Sequence, residues 1–535
     1  MIKKILLLSF VFFQYISYAQ TEHAWIYLAD KENVDASIQN PITILTQKAI
    51  DRKSTHNVII DERDVPVNEN YILQLKQQVG IEVKAKSKWF NAVHVIGLED
   101  DINALSSLSF VDHIDFADKS LNSESRMAAA NNKFEVEETL VDFVYGDTQN
   151  QVEMINVDKL HLDDFTGEGI TIAVLDAGFP NVNTMGAFQR LRDNDDLLGG
   201  YDFVDRVANP YAFTGNTHGT KVLSDMAGFI QDMFVGTAPD ASYYVFRTED
   251  AGSETPVEES YWVEAAERAD SLGVDIINSS LGYRVYTNGN YTHLPEDLDG
   301  NTTFITKGAN IANEKGILVV TSAGNSGISG VGAPADGTGV LSIGAVDFEG
   351  NYASFSSQGS VFQSTQKPDV AARGASTFVI NENNAIVNNN GTSFSSPIMA
   401  GGIASLWQAL PNATNEEIKQ YVRMSASQYH TPDFFLGFGI PNLELAYNIG
   451  LSLQEDEFFE FNIFPNPVKD VLNIQIPSAN EVTSLLIYDI LGKAVFQKIM
   501  TTHSSTIDTS SMSSGVYIMS LESEKESKTF KFIKS

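Results

Sequence analysis

The sequence contains no cysteine, which excludes disulfide bonds, a thiol nucleophile and a cysteine-based zinc site. Stability must therefore come from hydrophobic cores, for which an apolar content of 43% is ample, and from any ions that the protein binds. The 535 residues are too many for one ordinary domain and indicate roughly three.

Basic residues are scarce. The chain has 35 Lys and Arg against 69 Asp and Glu, which gives a formal net charge of −34. So acidic a protein is repelled by phosphate backbones and by anionic lipid surfaces. The composition therefore argues against nucleic acid as a partner and against docking on an anionic membrane.

Long apolar runs are missing beyond the N-terminus. There, two lysines precede an apolar run from Ile5 to Phe13, and small residues follow at Ser17 and Ala19. This pattern is typical of a secretory signal peptide, residues 1–19. The alternative is a membrane anchor, for which the run is short. We expect an exported mature protein with no membrane span.

The rest of the chain divides into three patterned regions and a polar linker. Residues 20–125 mix strand-like and helical segments and predict a small α+β domain, and residues 126–144 have no apolar period and predict an exposed linker. Residues 145–453 alternate short apolar runs with helical patterns, which predicts an α/β fold: a parallel sheet with helices on both faces. Short alternating strands over residues 458–535 predict a small β-sandwich.

Three polar residues lie at predicted strand ends and helix starts, which is where open α/β sheets place their active sites. Asp176 ends the apolar run ITIAVLD, His218 opens one helical pattern, and Ser393 opens the last long one. An aspartate, a histidine and a serine together form a nucleophile with its base and the group that orients the base. Alone, each has a plainer interpretation: Asp176 and Ser393 as helix caps, and His218 as a surface or capping residue.

The segments around these residues, AVLDAGF, NTHGTKV and NGTSFSSP, resemble the three active-site motifs of the subtilisin-like serine proteases, the subtilase family. The resemblance implies a serine endopeptidase in which Ser393 attacks the peptide bond, His218 takes its proton and Asp176 orients the imidazole. It also implies a subtilisin-like fold. Two positions depart from the family pattern: Ala177 stands in place of Ser or Thr, and Phe394 in place of Met.

The resemblance also implies groups that bind the substrate and the reaction intermediate. Asn325, in the segment TSAGNSG, corresponds to the family's side-chain donor to the oxyanion; a turn residue is the alternative. Two segments, Ser280-Leu281-Gly282 and Ser322-Ala323-Gly324, correspond to the edge that pairs with an extended peptide and to one wall of the first specificity pocket. Gly332 and Ala333 correspond to the base of that pocket.

The flanking regions carry resemblances of their own. Residues 20–125 are similar to a subtilase propeptide, which implies a proenzyme inhibited by its own propeptide until the linker is cut. The tail is similar to the sorting domains of the type IX secretion system of Bacteroidetes, in the segments FNIFPNPVKDVLNI and SSGVYIMSLES. This implies the type IX machinery as a partner and a location outside the cell or on its surface. An accessory carbohydrate- or protein-binding domain is the alternative for the tail.

A calcium site is suggested by the segment Asp297-Leu298-Asp299-Gly300-Asn301. Asp297, Asp299 and Asn301 offer oxygen ligands at alternate positions, as calcium prefers. A solvated acidic turn before a helix explains the same pattern, and the chemistry itself requires no cofactor.

Three hypotheses follow for the whole protein. The first is an exported subtilisin-like endopeptidase that acts on proteins or peptides. The second is a catalytically silent binding protein with the same fold, which the four intact residues Asp176, His218, Ser393 and Asn325 argue against. The third is a maturation protease with a single target, which composition does not distinguish from the first.

Overall fold

The computed structural model describes residues 21–122, 143–458, 462–475, 483–490, 492–500, 504–522 and 527–535. The predicted signal peptide and nearly all of the predicted linker lie outside these residues. The chain forms two compact units, Met1–Tyr447 and Asn448–Ser535.

The first unit begins with a four-stranded antiparallel sheet in the order β2-β3-β1-β4. Its strands are β1 Thr21–Leu28, β2 Glu82–Ser87, β3 Ala92–Leu98 and β4 Val111–Phe116. Its helices are α1 Val34–Gln39, α2 Gln47–Thr55, α3 Glu69–Lys76 and α4 Glu99–Ala104. This is the small α+β module that the sequence predicts, with a long helical excursion between its first two strands.

A seven-stranded parallel sheet dominates the remainder of this unit, in the order β13-β12-β11-β10-β5-β9-β6. The strands are β5 Thr171–Asp176, β6 Leu197–Asp202, β7 Phe229–Ile230, β8 Phe234–Val235, β9 Ser242–Arg247, β10 Ile276–Ser279, β11 Leu318–Ser322, β12 Leu341–Val346 and β13 Val370–Arg373, followed by the hairpin β14 Thr377–Ile380 and β15 Ile386–Asn389. Strands β7 and β8 pair only with each other.

Helices cover both faces of this sheet. In chain order, the helices of residues 143–458 are α5 Gln149–Glu153, α6 Val157–Leu162, α7 Gln189–Asp193, α8 His218–Ala227, α9 Val257–Leu272, α10 Phe304–Glu314, α11 Thr392–Ala409, α12 Asn415–Met424 and α13 Leu443–Phe458. Helix α11 is buried along its whole length, and helices α8 and α11 pack on each other. Because strands such as β5 are buried at every residue, they read as continuous apolar runs rather than alternating ones.

The parallel arrangement brings the carboxyl ends of the central strands to one edge. Strand β5 ends at Asp176, β10 ends one residue before Ser280, and β11 ends at Ser322. Helices α8 and α11 begin at the same edge, at residues 218 and 392. The fold thus places the predicted catalytic segments together.

The N-terminal module shares a hydrophobic core with the parallel-sheet domain. Trp25, Ala85 and Trp89 of the module belong to one buried cluster with Tyr261 and Trp262 of α9. The indole nitrogen of Trp25 donates a hydrogen bond to Ser260 Oγ at 2.8 Å.

The described residues of the second unit form seven short strands in two antiparallel sheets, β16-β17-β20 and β19-β18-β21-β22. They are β16 Asn462–Phe464, β17 Val471–Gln475, β18 Thr483–Asp489, β19 Ala494–Met500, β20 Ser504–Asp508, β21 Gly515–Glu522 and β22 Ser527–Lys534. One apolar cluster joins the two sheets and includes Leu472, Ile487 and Met519. This agrees with the predicted β-sandwich.

Candidate active site

Asp176 and His218 form an ion-pair geometry at the carboxyl edge of the sheet, in which the aspartate is buried and the imidazole is partly exposed. His218 Nδ1 lies 2.8 Å from Asp176 Oδ1 and 3.0 Å from Oδ2. Asp176 is fully buried, and its Oδ1 also accepts the backbone N–H of Ala177 at 2.7 Å. The Ala177 backbone N–H thus gives the buried carboxylate a hydrogen bond, although the alanine side chain cannot donate one as the family's Ser or Thr could.

Backbone packing fixes the position of the imidazole. The side chain of Asn216 accepts a hydrogen bond from the backbone N–H of His218 at 2.9 Å, which anchors the start of α8. A β-carbon at Gly219 would lie 2.9 Å from Cβ of Asp176 and 2.7 Å from the carbonyl oxygen of Gly178. A glycine is therefore required for α8 to approach the loop after β5 so closely.

The pKa of His218 reflects two opposing effects. Burial lowers the pKa of an imidazole, but the charge and the hydrogen bond of Asp176 more than offset it, so the pKa of His218 lies above its ordinary value of 6.5. With Nδ1 bonded to the carboxylate, Nε2 of the neutral ring is left as the proton acceptor.

Ser393 is the second residue of α11 and has 9% of its surface exposed. Its hydroxyl donates to the carbonyl oxygen of Ser280 at 3.4 Å, while Ser280 Oγ donates to the carbonyl oxygen of Ser393 at 2.9 Å. The next side chain, Phe394, has its ring 5.8 Å from that of His218. The Ser393 hydroxyl is thus bonded to the end of β10, and the structure gives it no hydrogen bond to His218.

Asn325 faces the same turn of α11. Its Oδ1 accepts the backbone N–H of Thr392 at 2.9 Å and the Thr392 hydroxyl at 3.1 Å, which leaves the amide Nδ2 directed elsewhere. Gly391 has φ +149°, and a β-carbon there would lie 3.6 Å from both Asn325 Nδ2 and the backbone nitrogen of Ser393. Both nitrogens therefore lie close to one point beside Gly391.

Comparison with known proteins agrees with these motifs. The model of the subtilase family matches residues 167–439, which is just over half of the chain. The chain belongs to the subtilase family. Separate models match residues 23–134, as a Bacteroidota peptidase S8 propeptide domain, and residues 462–535, as a secretion system C-terminal sorting domain.

Curated relatives of this subtilase include two subtilisins from Bacillus. Subtilisin DY of Bacillus licheniformis is 30% identical over 302 residues, which cover 55% of this chain and 97% of the relative. Subtilisin E of Bacillus subtilis is 30% identical over 304 residues, covering 55% and 70%. Among solved structures, the crystal structure of MycP1 without its N-terminal propeptide is 23% identical, with a TM-score of 0.45 and coverage of 56% and 96%.

These matches identify the protein as a secreted serine endopeptidase made as a proenzyme. The type IX sorting domain at the C-terminus indicates secretion. Within the described residues, no helix combines the length and apolarity needed to cross a membrane.

The predicted substrate-binding segments lie around Ser393. Tyr283, next to the segment 280–282, forms an antiparallel bridge with Ala333. Gly282 is exposed, whereas the Leu281 side chain belongs to the hydrophobic core, so this segment offers its backbone rather than its side chains.

On the other side, the backbone N–H of Gly324 donates to the Thr392 hydroxyl at 3.1 Å, which ties the segment 322–324 to the start of α11. Ser322 and Ala323 are buried, and Gly332 is half-buried beside the carbonyl of Tyr283. The structure thus places the segments 280–282 and 322–324 next to the start of α11, and their role in peptide binding stays a prediction.

The side chains of the predicted calcium segment have protein partners in the proenzyme. Asp297 lies 2.6 Å from Lys119 Nζ of the propeptide and accepts the backbone N–H of Leu294. Asp299 accepts the N–H of Asn301 at 2.8 Å, as in an ordinary acidic turn. Lys119 thus pairs with Asp297, and calcium at Asp297, Asp299 and Asn301 stays a prediction.

An acidic cluster that the sequence analysis did not identify follows strand β9, where Glu249 interacts electrostatically with Asp176 and His218. Single carboxylate oxygens of Glu249, Glu254 and Glu258 lie within 4.8 Å of one another. Burial raises the pKa of Glu249 to about 8 and that of Glu258 to about 9. Glu258 accepts the backbone N–H groups of Asp250 and Thr255, so it has the role of a loop cap. The acid-rich run TEDAGSETPVEE is the only sequence signal for this cluster.

Proposed function

We propose that this subtilase hydrolyses peptide bonds through an acyl-enzyme on Ser393, with His218 as the general base and Asp176 as its orienting carboxylate. The observation that carries the proposal is the bond between His218 Nδ1 and the buried Asp176 at 2.8 Å. This bond leaves Nε2 free to accept a proton at the edge where α11 presents Ser393.

In the first step, Ser393 Oγ attacks the carbonyl carbon of the scissile bond while its proton moves to His218 Nε2. The resulting imidazolium is stabilised by Asp176, whose influence already raises the pKa of His218. His218 then donates the proton to the leaving amine, and the acyl group remains on Ser393. Water, deprotonated by the same imidazole, releases the acyl group.

The oxyanion of each tetrahedral intermediate is assigned to the space in front of Gly391. There the side-chain amide of Asn325 and the backbone N–H of Ser393 act as donors. Both nitrogens lie 3.6 Å from the position that a β-carbon on Gly391 would take. Thr392 supports this role because its two donors hold Asn325 Oδ1 and thereby orient Nδ2.

The substrate is assigned an extended conformation between the segments 280–282 and 322–324. Hydrogen bonds to exposed backbone give affinity that tolerates many sequences. The exported protein is expected to cross the outer membrane with the type IX machinery and to act outside the cell or on its surface.

The test is self-processing of the chain from residue 20 to residue 535. We expect the wild-type chain to shed its propeptide and the Ser393→Ala variant to accumulate as the full proform, because the variant has no nucleophile. Ser395→Ala is the matched control, since this buried hydroxyl in the same turn only bonds the carbonyl of Thr392. Equal processing of wild type and Ser393→Ala, seen by mass spectrometry, would show that Ser393 is not the nucleophile.

A further inference from the structure

The carboxylate of Glu249 lies at the catalytic edge of the sheet and has no part in the proposed mechanism. Glu249 comes shortly after strand β9, which ends at Arg247. The backbone N–H of Thr248 donates to the carbonyl oxygen of Asp176 at 3.0 Å, so the chain after β9 stays beside the end of β5. Glu249 interacts electrostatically with both Asp176 and His218. An acidic side chain therefore borders the catalytic histidine.

Tyr283 holds this carboxylate at the predicted substrate-binding edge. The hydroxyl of the buried Tyr283 donates to Glu249 Oε2 at 2.7 Å. The backbone N–H of Tyr283 donates to the carbonyl oxygen of Ala333 at 2.7 Å, which anchors the tyrosine directly after the segment 280–282. Among the described residues, none donates a hydrogen bond to Glu249 Oε1, and Glu249 keeps part of its surface exposed. One oxygen of the carboxylate is thus available to a ligand.

Glu249 lacks the cationic partner that other carboxylates in this domain have. Asp202 and Asp369, which are buried, each lie within 2.9 Å of an arginine nitrogen. In the part of the chain that the structure describes, no ion pair includes Glu249 or its acidic neighbours Glu254 and Glu258. Burial raises the pKa of Glu249 to about 8, as it does for a carboxyl group without a counter-ion. A positively charged ligand would therefore stabilise the ionised form of Glu249.

The strand order places Glu249 and the predicted first specificity pocket on opposite sides of the substrate. The segment 280–282 follows β10, the pocket segment 322–324 follows β11, and Glu249 follows β9. Because the order is β11-β10-β5-β9, the pocket and Glu249 flank β10 on its two sides. Successive side chains of an extended peptide point to opposite sides. With the residue before the scissile bond in the pocket, the residue preceding it points toward Glu249.

We propose that Glu249 selects a basic residue at the second position before the scissile bond, where a lysine ammonium or an arginine guanidinium binds Glu249 Oε1. This proposal rests on the proposed function, which supplies the extended peptide and its orientation. The bond from Tyr283 already holds the carboxylate in place, so the ligand does not have to order it. Hydrogen bonds between charged groups are stronger than those between neutral ones. The substrates that this site favours are therefore peptides with lysine or arginine at that position.

The test compares the binding of two peptides that end at the residue filling the first pocket and differ only at the residue before it. One peptide has lysine there, and the other has methionine, which is of similar shape and uncharged. Binding is measured by fluorescence anisotropy on the Ser393→Ala chain after an added protease has removed the propeptide. The buffer contains EDTA, so that no metal ion occupies the carboxylates, and has a pH of about 9, at which Glu249 is ionised and lysine is still charged.

We expect the lysine peptide to bind at least about tenfold more tightly than the methionine peptide, as one hydrogen bond between charged groups allows. Adding Glu249→Gln should reduce this preference to less than about threefold, because the amide oxygen still accepts the Tyr283 hydroxyl but carries no charge. Adding Glu249→Lys instead should reverse it, so that a peptide with glutamate at that position binds more tightly than the lysine peptide.

Glu168→Gln is the matched control, since it makes the same change of charge at an exposed residue that precedes β5, at the opposite edge of the sheet. It should leave the lysine preference within about twofold, because salt screens charges at that distance. Equal binding of the lysine and methionine peptides, or a preference that survives Glu249→Gln, overturns the proposal even where the active enzyme cleaves both peptides. A preference that depends on Glu249 supports the proposal even where the active enzyme cleaves neither, and that second result would contradict the proposed function alone.

Discussion

Replacing His218 with alanine is expected to lower kcat by on the order of a million-fold, measured on a peptide substrate after the propeptide is removed by an added protease. The Ser393 hydroxyl has no other base in the proposed mechanism, since its hydrogen-bond partner in the structure is the carbonyl oxygen of Ser280. A serine alcohol without a base is a poor nucleophile at neutral pH. The KM should change little, because the imidazole contacts reacting atoms rather than the bound peptide chain.

His430→Ala is the matched control for this variant. His430 is an exposed histidine of the same domain, and its replacement should leave kcat within about twofold of the wild-type value. A His218→Ala enzyme within about a hundredfold of wild type would mean that another group serves as the base.

The second large effect is expected at Asn325. Replacement by leucine removes the side-chain donor to the oxyanion and should lower kcat about 100- to 1,000-fold with a small change in KM. The effect falls on kcat because the donor bonds the oxyanion more strongly than the carbonyl of the bound substrate.

The variant Asn325→Asp tests hydrogen-bond donation to the oxyanion separately from the bonds that Asn325 Oδ1 accepts from Thr392. An aspartate still accepts the N–H and hydroxyl of Thr392, as Asn325 Oδ1 does, but it donates nothing and adds a negative charge. We expect a loss at least as large as that of the leucine variant, while Thr392→Ser, which keeps the hydroxyl, stays near wild type. An active Asn325→Asp enzyme would rule out the donor role.

The sequence predicted the parts of the fold that have a strong periodic signal. Strands β5, β9, β10, β11 and β12 are continuous apolar runs because both faces of the sheet are covered. The two edge strands of this sheet, β6 and β13, lack this signal. Strand β6 contains Gly199 and Gly200. A β-carbon at Gly200 would lie 1.7 Å from the carbonyl oxygen of Val245, so this position has no room for a side chain. The strand therefore has glycines where a run of apolar residues would have indicated a strand. Strand β13 is only four residues long.

The candidate site was predictable residue by residue but not as a set of contacts. The motifs around Asp176, His218 and Ser393 identified the family, and the subtilase match agrees with them. The orientation of Asn325 depends on Thr392, which is 67 positions away along the chain, so only the fold brings the two together.

The charged contacts between α2 and α9 gave no sequence signal. The segment QKAIDRKST reads as a polar, solvated helix, yet Arg52 and Lys53 are buried against Asp270, more than 200 positions away. Local composition does not reveal such a pairing. A solvated surface helix and a helix that is buried against oppositely charged residues contain the same kinds of polar residue.

The proposed triad is tested most sharply by the rate at which a serine-directed phosphonate labels the mature enzyme. The rate is measured across pH, and the labelled residue is identified by mass spectrometry. Labelling requires neutral His218, and the pKa of His218 lies above 6.5 because Asp176 stabilises its cation, so the rate should rise with pH through a midpoint above 6.5. In Asp176→Asn that midpoint should move to lower pH and the rate should fall. We expect a single adduct on Ser393 with this pH dependence. An adduct on another residue, or labelling of Ser393 that is independent of both His218 and pH, would show that the proposed triad is wrong.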